Sequence, residues 1–349
     1  MVDRVADGFS GMVLPDWQPG GTAQMPKRIY PLILKPAYKD YIWGGDRIIR
    51  TYHRNEPPGI YAESWEVSDR PEGMTTVCNG AWAGSPLADL VRQMGAELIG
   101  EGFAGGKFPL LIKLIDSRQR LSVQVHPDDS TAKRLGSEPK TEAWYVLEAD
   151  VGARVFAGLR RGVGRAELMD AMAEKNFESI LRSLPVNRGD VIFIPGGRVH
   201  AIDAGCLLYE VQQNSNTTYR LYDWDRTGPD GRPRKLHIRE ALESIHFHDH
   251  DDPRVQPTVS EEDGRRRWRL LETALFTIEK VELRSAWDVA WNPGSFRALF
   301  VEEGRGAIES PQGLIPEVCR GASVLLPAAL KRCTIRPVGR KVTLLVVSR

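Results

Sequence analysis

Gly189-Asp-Val-Ile-Phe-Ile-Pro-Gly-Gly-Arg-Val-His-Ala-Ile202 reads as a short apolar strand closed by a proline, a glycine pair and a histidine. The same layout of glycine, five residues and proline returns as Gly321-Ala-Ser-Val-Leu-Leu-Pro327. Each copy follows two strand-like runs joined by a Gly-containing turn, WYVLEADVGARVF at 144–156 and ALFVEEGRGAIES at 298–310. One β unit is therefore expected to occur twice. His200 stands five positions after Pro195, whereas Arg332 stands five after Pro327, so only the first copy keeps a ligand-type side chain.

Working outward, 33 glycines and 23 prolines punctuate many short apolar runs, a pattern of strands and turns rather than long helices. The fold is expected to be mostly β. Strands are predicted at 28–35, 61–68, 74–78, 108–115, 120–126, 143–149, 153–156, 190–194, 206–213 and 217–222. Helices are predicted at 86–94, behind a Ser-Pro entry, and at 164–183, where apolar residues recur at helical spacing. Residues 1–27 lack periodicity and are expected to be a flexible N-terminal extension. A first domain over 28–245, a polar, proline-containing linker over 246–262 and a second, shorter domain over 263–349 complete the expected organisation.

Charge and composition narrow the function. Lys+Arg 47 against Asp+Glu 46 leaves a formal net charge of +1, too small to hold a nucleic acid or an anionic membrane by bulk field. The basic run Gly264-Arg-Arg-Arg-Trp-Arg269 follows Glu261, Glu262 and Asp263, which cancel much of its charge. No apolar run of about 18 residues is present to span a bilayer, and the N-terminal stretch lacks the pattern of a secretory signal. The four cysteines, Cys78, Cys206, Cys319 and Cys333, show no CxxC spacing. A reducing cytoplasm is expected.

The densest chemical signal is Leu121-Ser-Val-Gln-Val-His-Pro-Asp128. On a strand, Ser122, Gln124 and His126 share one face, and a Gln/His stripe inside a β barrel is costly to desolvate unless something binds it. A solvent-facing edge strand is the plainer reading of this stretch alone. Glu142 opens the strand that follows Pro139-Lys-Thr, and the glycine pair before His200 allows a tight turn that aims the imidazole across the sheet. Together these His, Glu and Gln side chains suit zinc or another divalent first-row metal. His246, His248 and His250 also alternate, but their aspartate neighbours and the following proline favour a solvated segment.

The strings IWGG at 42–45, AESWEVSD at 62–69, SVQVHPDD at 122–129, KTEAWYVLEA at 140–149, GDVIFIPGGRVHAI at 189–202 and YEVQQNSNTTYRLYDW at 209–224 together resemble type I mannose-6-phosphate isomerases, particularly the short bacterial class. The resemblance runs from about 28 to 245 and more faintly to the end. It implies two cupin (jelly-roll) β-barrel domains with a few helical insertions, the first active and the second degenerate. It also implies one Zn2+ per chain, with another divalent first-row metal as an alternative, held by Gln124, His126, Glu142 and His200. The implied activity is the interconversion of mannose 6-phosphate and fructose 6-phosphate through an enediol. Lys140, Glu210 and Arg220 match the family's catalytic positions, and Ser122, Trp43 and Asn214 are assigned to the substrate. Asn216 stands where many members have Asp. A structural ion pair between Glu210 and Arg220 is the plainer role for those two. An isomerase of a different or unphosphorylated aldose, or a non-catalytic sugar-binding cupin, remain open as other readings. The expected partner is a small-molecule sugar phosphate, with no nucleic acid and no membrane, and the chain is expected to be a monomer or weak homodimer.

Overall fold

The computed structural model describes residues 29–228, 230–291 and 294–349; the predicted N-terminal extension lies outside them. The chain is mostly β and folds into three sheets. Seven strands, in the spatial order Arg254–Val255, Val191–Ile194, Glu142–Ala149, Cys206–Gln213, Leu110–Ser117, Glu63–Val67 and Ala37–Lys39, form the first sheet. Five more, Tyr219–Tyr222, Val123–Val125, His200–Ile202, Arg154–Leu159 and Leu181–Pro185, form the second. These two sheets face each other across a core that includes Ile115, Trp144, Val146, Ile192 and Leu208 from one and Val155, Ala157 and Ile202 from the other. Their strands stay in open sheets and do not close into a continuous barrel.

The helix Arg165–Ala173 and the helix Ile238–Ser244 cover the outer face of the five-stranded sheet, over Val123, Phe156, Ala201 and Leu221. The outer face of the seven-stranded sheet packs through Ile112, Tyr145 and Tyr209 against Ile278, Phe300, Leu325 and Val347 of the C-terminal strands. Both faces of the central strands are thus covered. This explains why Leu110–Ser117 and Cys206–Gln213 are almost wholly buried and do not alternate. The third, ten-stranded sheet wraps a separate apolar core that contains Val281, Leu299, Val301, Leu344 and Val346. No helix among the described residues is long and apolar enough to cross a membrane.

Several expectations need correction. The first strand, Leu32–Lys35, pairs with Ser323–Leu326 and Thr76–Val77 in the ten-stranded sheet, so the N-terminal segment belongs with the C-terminal strands. Leu32 and Leu34 face the core between the units while Ile33 packs against the other side, an apolar run that both surfaces bury. The helix expected over 164–183 stops at Ala173, because Lys175 takes a left-handed conformation, and Leu181–Pro185 becomes a strand beside Arg154–Leu159. The 246–262 segment is no loose linker. Arg254–Val255 pairs with Val191–Ile192, Thr258–Glu262 pairs with Arg265–Arg269, and the chain passes from one sheet to another between them. His246 reaches Asp128 at 3.0 Å and Asp249 engages the buried Arg198. The stretch 298–310 is one bent strand, Arg297–Ser310, with register shifts on either side of Gly304. A Cβ at Gly304, whose φ is +75°, would lie 2.3 Å from the Lys341 carbonyl oxygen, so the bend needs glycine.

A buried polar network ties the two units together. Glu66 accepts from Ser64 at 2.6 Å and from Ser323 at 2.6 Å, and pairs with Arg54 at 2.9 Å, while Arg54 also donates to the Gly321 carbonyl. Replacing Glu66→Leu strands the Arg54 guanidinium in the interior, and equilibrium urea unfolding is expected to show a loss of about 3–5 kcal/mol. A change within about 0.5 kcal/mol, the range of ordinary surface substitutions, would show that this network does not secure the junction.

Candidate active site

Strand register assembles the site. Arg220 pairs with Gln124, and Gln124 with His200, so three polar side chains stand in one row across the five-stranded sheet. On the facing sheet Glu142 pairs with Gln212, and Glu210 with both Trp144 and Lys113, which puts Glu142, Glu210 and Lys113 on a common inward face. His126 follows the end of Val123–Val125, and Gly197 N–H donates to its carbonyl at 2.8 Å. Here the glycine pair is required by contact. A Cβ at Gly196 would lie 2.7 Å from Asp128 Cα, and one at Gly197, φ +94°, would lie 2.5 Å from the His246 ring.

His126, Glu142 and His200 bring their ligand atoms within 4.8 Å of one another, and all three are buried. Each histidine Nε2 lies 3.4 Å from a Glu142 oxygen. His200 Nδ1 lies 2.9 Å from the Arg198 carbonyl, a contact that fixes the protonated nitrogen on the far side and leaves the Nε2 lone pair facing the cluster. Burial, then the nearby Lys140 ammonium, pushes the His126 imidazole down to about 3; burial also lowers His200 despite the Glu142 charge. Burial opposes ionisation of Glu142, but the interactions led by the neighbouring Lys140 outweigh it and hold the carboxyl well below its ordinary range. Lys140 Nζ sits 2.7 Å from Glu142 Oε2, yet among the described residues neither carboxylate oxygen has a partner in hydrogen-bond geometry. Two neutral imidazoles and one buried carboxylate with unsatisfied oxygens fit a divalent first-row metal. Gln124 stands beside them with Nε2 towards His200 at 3.2 Å and Oε1 accepting from Ser122 at 3.1 Å, so a half-turn of its amide is needed for the oxygen to join the set.

The cluster lies at the wall of a cavity of about 460 Å3, which Trp43, Ser122, Gln124, Lys140, Glu142, Glu210 and Arg220 also line. Asn214 does not line it. Its side-chain amide donates to Asp69 and to the Phe108 carbonyl, both at 2.6 Å, and so serves as a loop clamp. Asn216 lines the cavity instead. Glu210 and Arg220 are not an ion pair: Glu210 Oε1 is 3.4 Å from Lys113 Nζ, and its Oε2 accepts from Trp144 at 3.0 Å. Arg220 donates to Ser122 Oγ at 3.3 Å and to the Lys235 carbonyl at 2.9 Å. The two residues face each other from different sheets, because residues 214–218 carry the chain between sheets rather than closing a hairpin. Burial and then the Glu142 charge raise the Glu210 carboxyl.

Lys113 and Glu63, 3.5 Å apart, escaped the sequence reading, as did Tyr41, Arg234 and His237 at the cavity. Lys113 left a usable signal, a lone cation within the otherwise apolar Leu-Leu-Ile-Lys-Leu-Ile run at 110–115. His248 and His250 join no metal-type cluster among the described residues.

This is an enzyme site of the cupin type: polar side chains from two facing sheets converge on a buried cluster inside a β sandwich. Residues 32–157 match the model for phosphomannose isomerase type I, catalytic domain. A putative mannose-6-phosphate isomerase of Bacillus subtilis is 32% identical over 312 residues, covering 88% of this chain and 96% of that protein. A mannose-6-phosphate isomerase of Streptococcus mutans is 39% identical over 216 residues, with coverage of 62% and 67%. The crystal structure of the mannose 6-phosphate isomerase from Bacillus subtilis superposes with a TM-score of 0.83 at 31% identity, covering 91% of this chain and 99% of that one. The chain belongs to the type I mannose-6-phosphate isomerase family.

Two outcomes are expected from this geometry. Elemental analysis should find His200→Ala without metal and without activity, and His248→Ala close to wild type in both; a metal-free His248→Ala protein would relocate the metal to the 246–250 segment. Cys206 is buried, and burial pushes its thiol up to about 11. At pH 8 its thiolate fraction is then about one in a thousand, so iodoacetamide should label it slowly in the folded chain, with the rate rising as pH approaches 11. Rapid labelling at pH 8 that substrate prevents would place the thiol in the cavity.

Proposed function

We propose that the chain interconverts mannose 6-phosphate and fructose 6-phosphate in the cavity between the five- and seven-stranded sheets, through an enediol. The observation that carries the reading is the convergence of His126, Glu142 and His200 with Glu210, Arg220 and Lys140 around one space of about 460 Å3. Gln124, His126, Glu142 and His200 would hold one Zn2+, or another divalent first-row ion. When bound, it supplies Lewis-acid polarisation of sugar oxygens without redox change.

The remaining work falls to side chains. Glu210 is the proposed base: its Oε1 is buried without a hydrogen-bond partner among the described residues, and its raised affinity for a proton suits it to take one from C2 and return it to C1. Lys113, with Glu63 behind it, positions that carboxylate. Arg220 stands one strand from Gln124 and has no carboxylate partner among the described residues, so its charge is available to stabilise the oxygen on which charge develops. Arg234 and His237, also at the cavity, suit the phosphate end, and Trp43 and Ser122 line the sugar's place. Lys140 serves as a cationic anchor against Glu142 and His126. A carboxylate with raised proton affinity at the cavity wall favours catalysis over binding alone.

The proposal assigns this chemistry to a unit spanning most of 28–245 and leaves 263–349 as a degenerate second cupin. Four free cysteines favour a reducing cytoplasm. Exposed large apolar side chains such as Ile60, Met169, Val259 and Leu314 lie on separate elements, which favours a monomer or weak homodimer.

Coupled assays should show turnover of mannose 6-phosphate with little on free mannose, abolished by chelator and restored by zinc. Undiminished turnover in metal-free protein would remove the metal site. Arg220→Lys keeps the charge but loses the planar fork. It is expected to lower kcat at least about a hundredfold with metal content unchanged, since one such preorganised donor contributes about 2.7–4 kcal/mol. A loss confined to KM would reassign Arg220 to the phosphate, and wild-type kinetics would make it structural.

A further inference from the structure

The second β unit carries no histidine: all seven histidines of the chain lie at or before position 250. It nevertheless keeps a cavity of about 360 Å3 at one end of its core. The inward face of this unit is aliphatic along Val281, Leu299 and Val346, yet at its end the positions that pair with those residues, or precede them on the same face, are Arg267, Glu279 and Arg297. Trp287, Trp291, Arg265 and Asp288 also line it. Charged residues at inward positions of a β core are expensive unless they are engaged.

Their engagement is unequal. Glu279 is already taken, since Arg267 donates to it at 2.9 Å and Arg269 lies at 3.6 Å. Arg297 has no ion pair among the described residues; its guanidinium donates to the neighbouring Phe296 carbonyl at 2.9 Å and lies 5.9 Å from the Trp291 ring. Burial lowers the Arg297 pKa, Glu279 opposes that, and Arg267 adds to it. Trp291 Nε1 is buried with no acceptor among the described residues. Of the remaining lining, Asp288 accepts from Thr334 at 2.6 Å and the Arg265 guanidinium lies 5.4 Å from the Trp287 ring, so the groups left without an acidic partner among the described residues are the donors of Arg297 and Trp291. Donors of this kind select an oxyanion, and the planar fork of arginine matches phosphate or carboxylate. Indoles cover the apolar face of a sugar ring. The volume stands at the low end of small-molecule sites, which run from about 300 to 1,000 Å3.

We infer that this cavity of the second unit is a non-catalytic binding site for a monosaccharide-sized sugar oxyanion, with Arg297 holding the phosphate or carboxylate and Trp287 and Trp291 holding the ring. No metal is involved, and the site is separate from the cavity of the isomerase reaction.

The test uses the full chain labelled with 5-fluorotryptophan, whose resonances for Trp287 and Trp291 are assigned from Trp287→Phe and Trp291→Phe. Glucose 6-phosphate, glucuronate, free glucose and inorganic phosphate are titrated in turn at up to millimolar concentration. Saturable shifts of both resonances with glucose 6-phosphate identify a phosphate ligand, and with glucuronate a carboxylate ligand; either supports the site. Arg297→Gln, which should keep wild-type isomerase turnover and so report its own folding, is expected to weaken that binding at least tenfold. Three results would overturn the inference: no shift with either sugar acid, shifts that persist unchanged in Arg297→Gln, or equal binding of free glucose or of inorganic phosphate alone.

Discussion

A carboxylate with no exposure and no hydrogen bond is the constraint around which the molecule is arranged. Burying the Glu142 charge costs several kcal/mol on its own, and the cost is offset only if cations and metal-type donors stand at fixed positions around it. Lys140 comes from the same strand entrance, His126 from the end of a strand on the facing sheet, and His200 from the strand beside that one. None of these positions is local to the others except Lys140. The register of both sheets must be right before the charge is tolerated. A one-residue slip in His200–Ile202 would turn the imidazole to the opposite face and remove the neighbour of Glu142 Oε1, leaving only Lys140 and His126 beside the carboxylate.

The seven-stranded sheet carries this requirement because it is held from both sides. One face presents Glu142, Glu210 and Lys113 to the cavity; the other packs Tyr145, Tyr209 and Ile112 against the C-terminal strands. At that junction Tyr145 donates to Glu302 at 3.1 Å and accepts from Lys280 at 2.9 Å. The second unit has therefore a structural reason to persist without a metal: it covers a sheet whose opposite face is crowded with charge and could not be stable if it were also wet. The apolar side chains of Leu32 and Leu34 belong to the same contact, which is why the first strand joins the far sheet.

The residues of the cluster were legible because each sits on a strand or turn with a local signature: alternation placed Ser122, Gln124 and His126 on one face, and the glycine pair marked the turn into His200. Helix Leu87–Met94 was equally plain, with Leu87, Leu90, Val91 and Met94 buried at helical spacing. What escaped was decided by partners distant in sequence. Asn214 looked like a pocket residue beside Glu210, but Asp69 and the Phe108 carbonyl claim its amide. Lys113 lies in a run that reads as plain core, and only the register with Glu210 gives its charge a purpose. The 246–262 segment reads as solvated because Asp128 and Arg198, which His246 and Asp249 engage, are far away along the chain.

The internal echo separates what the backbone needs from what the chemistry needs. Gly189 and Gly321 both have positive φ, +95° and +84°, and both lead into a strand that ends at a proline. The proline carbonyl then accepts from the residue three positions on, Arg198 N–H at 3.2 Å in one unit and Leu330 N–H at 3.0 Å in the other. The two turns share a hydrogen bond, yet they diverge immediately after it. In the first, the glycine pair lets the chain press against Asp128 and delivers His200 into the buried cluster; in the second, Lys331 takes the left-handed conformation and Arg332 begins its strand exposed beside Ala290. The glycine and proline of the echo thus report a shared β architecture. Ligand chemistry resides in the two glycines and the histidine that follow, and these are the positions at which the units differ.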